Sequence, residues 1–464
     1  MRAVRDSEPA LQAQWLRGEI AVLGLARSGT AVATLLAREG ARVYASDAAR
    51  SPELEAARAE LERQEVDVAL GTHDVARVAG SSLVVVSPGV PPDAPAIVAA
   101  RKNGVEVVSE VEIALRFLPN TKYIAITGTN GKSTTTVLAA HLLRALNVRA
   151  VAAGNIGLPL STLALEPDPP RWVALELSSF QLHFTPGVNP VVGVLTNASP
   201  NHLDRYHDAR EYYADKALLF RNARPGSIWV TNADDAVVQG LVEGAAGMRT
   251  CFSITGRAEA HYDRSSDQLI VLDTPLIGRS ELTLLGDHSV ANALCASLAV
   301  MLADPVHRSP DATRIIADGL RSFRALEHRI EVVGALDGVA WINDSKSTNV
   351  ASTLTALRAM THPTVLLLGG RHKGASYAGL EPELRRTVKL VIAYGEAAPQ
   401  IGRDLGAIVT VEQGGDTFAD VIARARQRAS RGDAVLLSPA CSSFDMFVNY
   451  EQRGNEFKRL TAAP

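Results

Sequence analysis

Short apolar, β-rich runs alternate with helical stretches along this chain, and that rhythm constrains the fold more than any other feature. EIAVLGL, TAVATLLAREG and ARVYASD open it as strand, helix and strand. Two parallel strands need a crossover connection, so a repeated strand–helix–strand pattern predicts parallel sheets covered by helices. The rhythm restarts at KYIAITGTNGKSTTTVLAAHLLRAL, followed by RAVAAG, WVALEL and VVGVLTNA, and again at PTVLLLGG, KLVIAYG and DAVLLSPA. Three sheets are implied. Breaks fall near Arg116 to Thr121, where RFLPNT interrupts a helical pattern, and near Ser322 to Glu331, where a helix ends before IEVVGALDGVAWIND. The 464 residues exceed what one hydrophobic core supports. The expectation is an α/β chain of three domains over 1–118, 119–325 and 326–464, each a mainly parallel sheet with flanking helices.

Charge and composition narrow the partners. Lys and Arg total 47 against 50 Asp and Glu, and no basic run is interleaved with aromatics, which argues against nucleic acid. The opening residues MRAVRDSEPALQAQWLRG mix both charges and lack an apolar signal-peptide core, and no apolar run approaches a membrane-spanning length. Cys251, Cys295 and Cys441 are odd in number, far apart and free of any CxxC pair, as expected in a reducing compartment. A cytoplasmic protein with no membrane partner is expected.

The sharpest motif is TGTNGKSTT, Thr127 to Thr135, between the strand YIAI and a helix. Backbone N–H groups there, with a helix N-terminus, can hold phosphates. Ile126 stands where the strict GxxxxGK[ST] pattern has its first glycine, yet Gly128, Gly131, Lys132 and Ser133 are present. Lys132 would reach β- and γ-phosphates, and the Ser133 or Thr134 hydroxyl would ligate a bridging Mg²⁺. A plain glycine turn rarely combines Gly-Lys-Ser with both flanking elements.

Other candidates are open to two readings. GLARSG, Gly24 to Gly29, follows a strand and opens a helix, with Asp47 ending the next strand. Ala26 replaces the central glycine of a dinucleotide fingerprint, so redox chemistry is not supported, and a structural turn and a ligand site stay equally open. Glu176 in LELSSFQL, with His202, Asp204 and Lys216 downstream, follows apolar strands and suits Mg²⁺ near a triphosphate. Glu176 could instead cap the next helix, and His202 could be a loop histidine. Cys441 reads as a small packed thiol.

Together these residues resemble the Mur ligase family, through TGTNGKSTT, GNIG at Gly154 to Gly157, NHLDRY and the downstream Lys216. LELSSFQL, NDSKSTN at Asn343 to Asn349, LLLGGRHKG and LLSPACSSFDMFVNYEQRGNEF at Leu436 to Phe457 are similar to its D-glutamate-adding members. The resemblance spans the chain. It implies a Rossmann-like N-terminal domain gripping a UDP-sugar, a central P-loop ATPase and a Rossmann-like C-terminal domain for the incoming amino acid. It also implies ATP and Mg²⁺ as cofactors, UDP-N-acetylmuramoyl-L-alanine and D-glutamate as substrates, an acyl-phosphate intermediate, and a monomer by default.

Residue by residue, the resemblance implies that Ser28, Asp47, Gly89 and Asn155 contact the UDP-sugar. Gly128, Thr129, Asn130, Gly131, Lys132, Ser133 and Thr134 would hold ATP phosphates, and Asn292, Arg329 and Asp344 the rest of the nucleotide. Ser133, Glu176 and His202 would ligate Mg²⁺, with Lys216 supporting a second ion as a carbamate. Lys132, Glu176, His202 and Lys216 form the implied catalytic set. Thr348, Lys373, Ser443 and Tyr450 would bind D-glutamate, one cation and several hydroxyls facing two carboxylates. The chain departs from the family pattern at Ser289, where asparagine is common, and at Arg371-His372, where an acidic residue often stands.

Overall fold

The computed structural model describes residues 13–201, 205–372 and 374–462. The first sheet comprises β1 (Glu19–Leu23), β2 (Arg42–Asp47), β3 (Asp67–Leu70), β4 (Leu83–Val86) and β5 (Val107–Ser109). Their order is β3-β2-β1-β4-β5 and every pairing is parallel. Successive strand side chains point to opposite faces. Accordingly Ile20 and Val22 join one apolar cluster with Leu36 and Ile113, while Ala21 and Leu23 join another with Val78 and Ile97. The chain runs outward in both directions from β1, which opens a crevice beyond the carboxyl ends of β1 and β4.

The second sheet holds β6 (Lys122–Thr127), β7 (Ala150–Gly154), β8 (Trp172–Glu176), β9 (Val192–Leu195), β10 (Ile228–Asn232), β11 (Met248–Ser253), β12 (Ala260–Asp263), β13 (Gln268–Val271) and β14 (Thr274–Gly278). Its order is β14-β13-β12-β11-β10-β9-β6-β8-β7. From β7 across to β12 the pairings are parallel, whereas β12–β13 and β13–β14 are antiparallel. Here too the order reverses about one strand: β6 lies between β8 and β9, so its carboxyl end faces a switch point.

The third sheet comprises β15 (Glu331–Leu336), β16 (Val339–Asn343), β17 (Thr364–Gly369), β18 (Val388–Tyr394), β19 (Val411–Gln413) and β20 (Ala434–Leu437), in the order β15-β16-β20-β17-β18-β19. Only β15–β16 is antiparallel. Its turn, Asp337-Gly338, has φ of 53° and 77°, the double left-handed geometry that matches the twist of a two-residue hairpin. Strand β17 is buried throughout, with Leu366 and Leu368 facing one core and Val365 and Leu367 the other.

The chain forms two compact units. Residues 1–279 with 291–321 carry the first two sheets, and 280–290 with 322–464 carry the third. Within the first unit, wholly buried Glu110 accepts a hydrogen bond from Ser161 N at 2.5 Å and ties the helix after β5 to the second sheet's layer. Residues 280–290 belong with the second unit because Leu285 packs on its core and Thr283 donates to Phe323 O at 2.7 Å. No helix among the described residues is long and apolar enough to cross a membrane.

Candidate active site

The phosphate-type loop joins β6 to the Lys132–Ala145 helix. Gly128 and Gly131 have φ of +146° and +79°, a region costly for residues with a Cβ. Space forbids a side chain as well: a Cβ would lie 2.0 Å from Thr196 Oγ1 at position 128 and 2.4 Å from Asn292 Oδ1 at position 131. The loop is pinned by Thr129 N to Asn197 O at 2.9 Å, Asn130 N to Asn197 Oδ1 at 2.8 Å, and Thr196 Oγ1 to Asn130 O at 2.7 Å. Gly131 is the helix N-cap and offers no side-chain acceptor to the first turn, which suits a helix end meant for an anion. Asn292 packs against this loop, accepting from Thr135 Oγ1 at 3.3 Å and closing the space at Gly131.

Two lysines converge here. Lys132 Nζ donates to Gly128 O and Thr129 O, both at 2.9 Å, and Lys216 Nζ donates to the same Gly128 O at 2.7 Å. Lys216 is 1% exposed and lies 4.5 Å from the Tyr212 ring centroid. Burial, reinforced by the positive charge of Lys132, holds its pKa well below that of an exposed lysine. Glu176 ends β8, which pairs with β6 so that Glu176 sits opposite Ile126, beside the loop. Its Oε1 accepts from Asn155 Nδ2 at 3.0 Å, while Oε2 is buried with no hydrogen-bond partner among the described residues. Glu176 does not cap the next helix. Ser178 and Gln181 do so through a reciprocal capping box.

The lowered pKa of Lys216 has a stability consequence with a definite sign. Between its folded pKa and 10.5 the unfolded chain binds a proton that the native chain does not, so this group's contribution to stability rises with pH across that window. Lys216→Met is expected to raise Tm at pH 7 by about 2–4 °C, with the gain shrinking towards pH 10. Gly128 O keeps its bond from Lys132 in the variant. Thermal scans at both pH values check this, and a pH-independent difference would refute it.

Ser28, Asp47 and Gly89 lie around the carboxyl edge of the first sheet. Ser28 is in the first turn of the Arg27–Arg38 helix, and Gly89 follows β4. Both Asp47 oxygens are engaged by backbone, Oδ2 by Leu25 N at 2.8 Å and Oδ1 by Ala49 N at 2.9 Å, so this carboxylate shapes the GLARSG loop. A Cβ at Gly29 would lie 1.7 Å from Gly24 O, the close helix–strand approach that fixes glycine there. Arg205, not singled out from sequence, donates to Gly89 O at 3.3 Å, and Arg27 to Gly157 O at 3.3 Å; these join the first sheet's edge to the second's. His202, Asp204 and Lys373 lie outside the described residues, and no group of three or more His, Cys, Asp or Glu suited to a metal occurs among the described ones.

In the second unit, Asp344 follows β16, wholly buried, accepting from Ser438 Oγ at 2.8 Å and from Ile330 N, beside Arg329, at 3.2 Å. Burial pushes its pKa up to about 6 against the opposing pull of Ser347, Ser438 and Arg329. Thr348 lies on the loop after β16, while Ser443 follows β20 and Tyr450 starts the last helix. Arg453 is the residue sequence reasoning missed. Fully buried, it donates from Nε to Ser345 Oγ at 3.0 Å and from Nη2 to Ser345 O at 2.8 Å and Cys441 O at 3.2 Å, while Ser345 Oγ donates to Tyr450 O at 2.8 Å. One guanidinium thus cross-links the segments bearing Thr348, Ser443 and Tyr450. Its available signal was a shared helix face with Gly454 and Phe457, both buried. Lys346 Nζ, also missed, stands 5.4 Å from the Tyr450 ring centroid.

Comparison with known proteins agrees with this arrangement along the chain. The Mur ligase middle-domain family model matches residues 126–300, the MurD-like N-terminal domain model 18–109, and the Mur ligase glutamate ligase domain model 328–441. The chain is 39% identical to the UDP-N-acetylmuramoylalanine–D-glutamate ligase of Salinibacter ruber, over 96% of this chain and 97% of that protein. It is 41% identical to the enzyme of the same name from Anaeromyxobacter dehalogenans, over 95% and 96%. Among solved structures, UDP-N-acetylmuramate-alanine ligase from Thermotoga maritima shares the fold with a TM-score of 0.59 at 19% identity, covering 96% of this chain and 100% of that one. MurF from Acinetobacter baumannii does so with a TM-score of 0.59 at 16% identity, over 94% and 93%. Three α/β domains, a glycine-bearing strand-to-helix loop with two converging lysines, and likeness over nearly the whole length establish that this chain belongs to the Mur ligase family.

Proposed function

We propose that the protein joins D-glutamate to UDP-N-acetylmuramoyl-L-alanine at the expense of ATP, in peptidoglycan precursor synthesis, as a cytoplasmic monomer. Its three domains span 1–118, 119–325 and 326–464. The observation that carries the reading is the pairing of a lysine-centred loop with the Glu176 carboxylate oxygen on the adjacent strand that has no hydrogen-bond partner among the described residues.

The alanyl carboxylate attacks the γ-phosphorus and ADP leaves. The amine of D-glutamate then attacks the acyl-phosphate carbon, an amide forms, inorganic phosphate departs and the amine's proton is lost. Lys132 and the Gly128–Thr134 backbone hold the phosphates, with Asn292, Arg329 and Asp344 serving the rest of the nucleotide. Ser28, Asp47, Gly89 and Asn155 serve the UDP-sugar, and Thr348, Lys373, Ser443 and Tyr450 the D-glutamate. Ser133, Glu176, His202 and Lys216 would hold Mg²⁺, and Glu176 Oε2, buried and without a hydrogen-bond partner among the described residues, fits a cation. Bound there, Mg²⁺ supplies neutralisation of charge on the phosphoryl oxygens. Lys216 fits its place in that set through its depressed pKa: a neutral amine can add to CO₂ and lose a proton, turning a repelling cation into an anionic carbamate.

Phosphate release with ATP, Mg²⁺ and UDP-N-acetylmuramoyl-L-alanine is expected with D-glutamate alone among D-glutamate, L-glutamate, L-alanine, L-lysine and diaminopimelate. Release with another acceptor would keep the ATPase core and discard the D-glutamate site. No release with any acceptor would discard the ligase.

A further inference from the structure

Arg371 and His372 lie on the loop leaving β17. Cys441 to Ser443 lie on the loop leaving β20, its neighbour in the sheet. Backbones meet first: Arg371 N donates to Ser442 O at 2.9 Å, and Gly369 N to Pro439 O at 3.1 Å. Gly370 has φ of +127°, and a Cβ there would come 2.3 Å from Ser442 O, so the two loops touch with no side chain between them.

A side-chain bridge then locks the pair. His372 Nδ1 lies 2.9 Å from Tyr377 Oη, and Tyr377 Oη lies 2.9 Å from Cys441 Sγ. Tyr377 and Cys441 are each 1% exposed. Burial above all, with the Cys441 contact, raises the phenol's pKa, so Tyr377 stays protonated and carries one proton to share. Two arrangements satisfy every atom. Either the imidazole N–H donates to the phenol and the phenol to sulfur, or the thiol donates to the phenol and the phenol to the imidazole. In both, the hydroxyl joins the residue preceding Lys373 to the one two positions before Ser443. Outside this bridge, Arg371 pairs with Glu396 at 3.1 Å, and Glu396 N donates to Asp445 Oδ2 at 3.1 Å, so the arginine neutralises an acid fastened to the same loop.

We infer that His372, Tyr377 and Cys441 are positioning residues that set the spacing of the two loops framing the incoming amino acid; this rests on the reading above that Lys373 and Ser443 bind D-glutamate. Substrate carboxylates need donors at a fixed separation, and a hydrogen-bonded strut between loops holds that separation before substrate arrives.

Steady-state kinetics on the full chain, varying each substrate in turn, tests this. His372→Ala and Tyr377→Phe are each expected to raise the KM for D-glutamate about tenfold, the worth of one ordinary hydrogen bond, with kcat within about twofold and the KM values for ATP and UDP-N-acetylmuramoyl-L-alanine unchanged. His372→Asn, whose amide can reach the hydroxyl from the Nδ1 position, should recover most of the loss, and the double variant should be no worse than the worse single one. A D-glutamate KM at the wild-type value in both single variants would overturn the inference. So would an equal rise in all three KM values with a lowered Tm, since that reports general loosening. If the wild-type enzyme does not use D-glutamate, both this inference and the reading beneath it fall.

Discussion

Lys132→Ala is expected to lower the turnover of ATP-dependent ligation by about three orders of magnitude or more, with the fold retained. Phosphoryl transfer offers little covalent work for a protein, so the barrier is lowered mainly by fixed positive charge and donors, and one such cation contributes about 10³-fold or more. Lys132 begins the helix after the loop, and its Nζ is anchored by the Gly128 and Thr129 carbonyls. Removing it spares the loop's geometry, since Gly131 remains the N-cap, Asn197 still pins Thr129 and Asn130, and Lys216 still serves Gly128 O. Tm within about 3 °C of wild type is therefore expected alongside the lost activity. Turnover within tenfold of wild type would show that the loop does not hold the transferring phosphate.

Glu176→Gln is expected to lower turnover by about 10²–10³-fold while leaving stability unchanged or improved. The glutamine keeps the shape and can still accept from Asn155 Nδ2, so only the charge is removed. Among the described residues one oxygen of this buried carboxylate has no hydrogen-bond partner, an arrangement unfavourable for the fold and favourable for a cation. Kinetics over a range of Mg²⁺ concentrations, with melting curves, separates the two effects. A loss of less than tenfold at saturating Mg²⁺ would remove Glu176 from the metal site.

Much of this was legible in the sequence because fully buried parallel strands must be nearly unbroken apolar runs. VLLLG and AVLL read as such and form β17 and β20. The glycines of the Thr127–Thr135 loop were legible because backbone geometry and close contact with Thr196 and Asn292 impose them. The antiparallel edge of the second sheet was not. Its β13–β14 turn is built from Leu272 and Asp273 at φ of 50° and 58°, with no glycine or asparagine to mark it. Nor could residues 280–290 be assigned to the second unit, since Leu285 finds its core only in three dimensions. Arg371 read as a changed charge, yet its guanidinium is matched by Glu396, 25 residues away. Glu176 was ambiguous until Ser178 and Gln181 proved to be the cap.

The carbonyl of Gly128 is held by both lysines in the resting protein, and this bears on how tightly nucleotide can bind. A lysine ammonium has three N–H donors, and two of those on Lys132 are spent on backbone carbonyls, so a phosphate that took either would displace an acceptor worth about 0.5–1.5 kcal/mol net. On the proposed function, the loop would then carry an internal competitor that weakens the binding of ATP and ADP alike, roughly two- to tenfold for each acceptor displaced. Because the penalty would fall equally on the two nucleotides, it would leave the bound-state barrier untouched and hasten departure of the spent one. The same oxygen that keeps the loop in shape would thus help to keep such an enzyme from being trapped by its product.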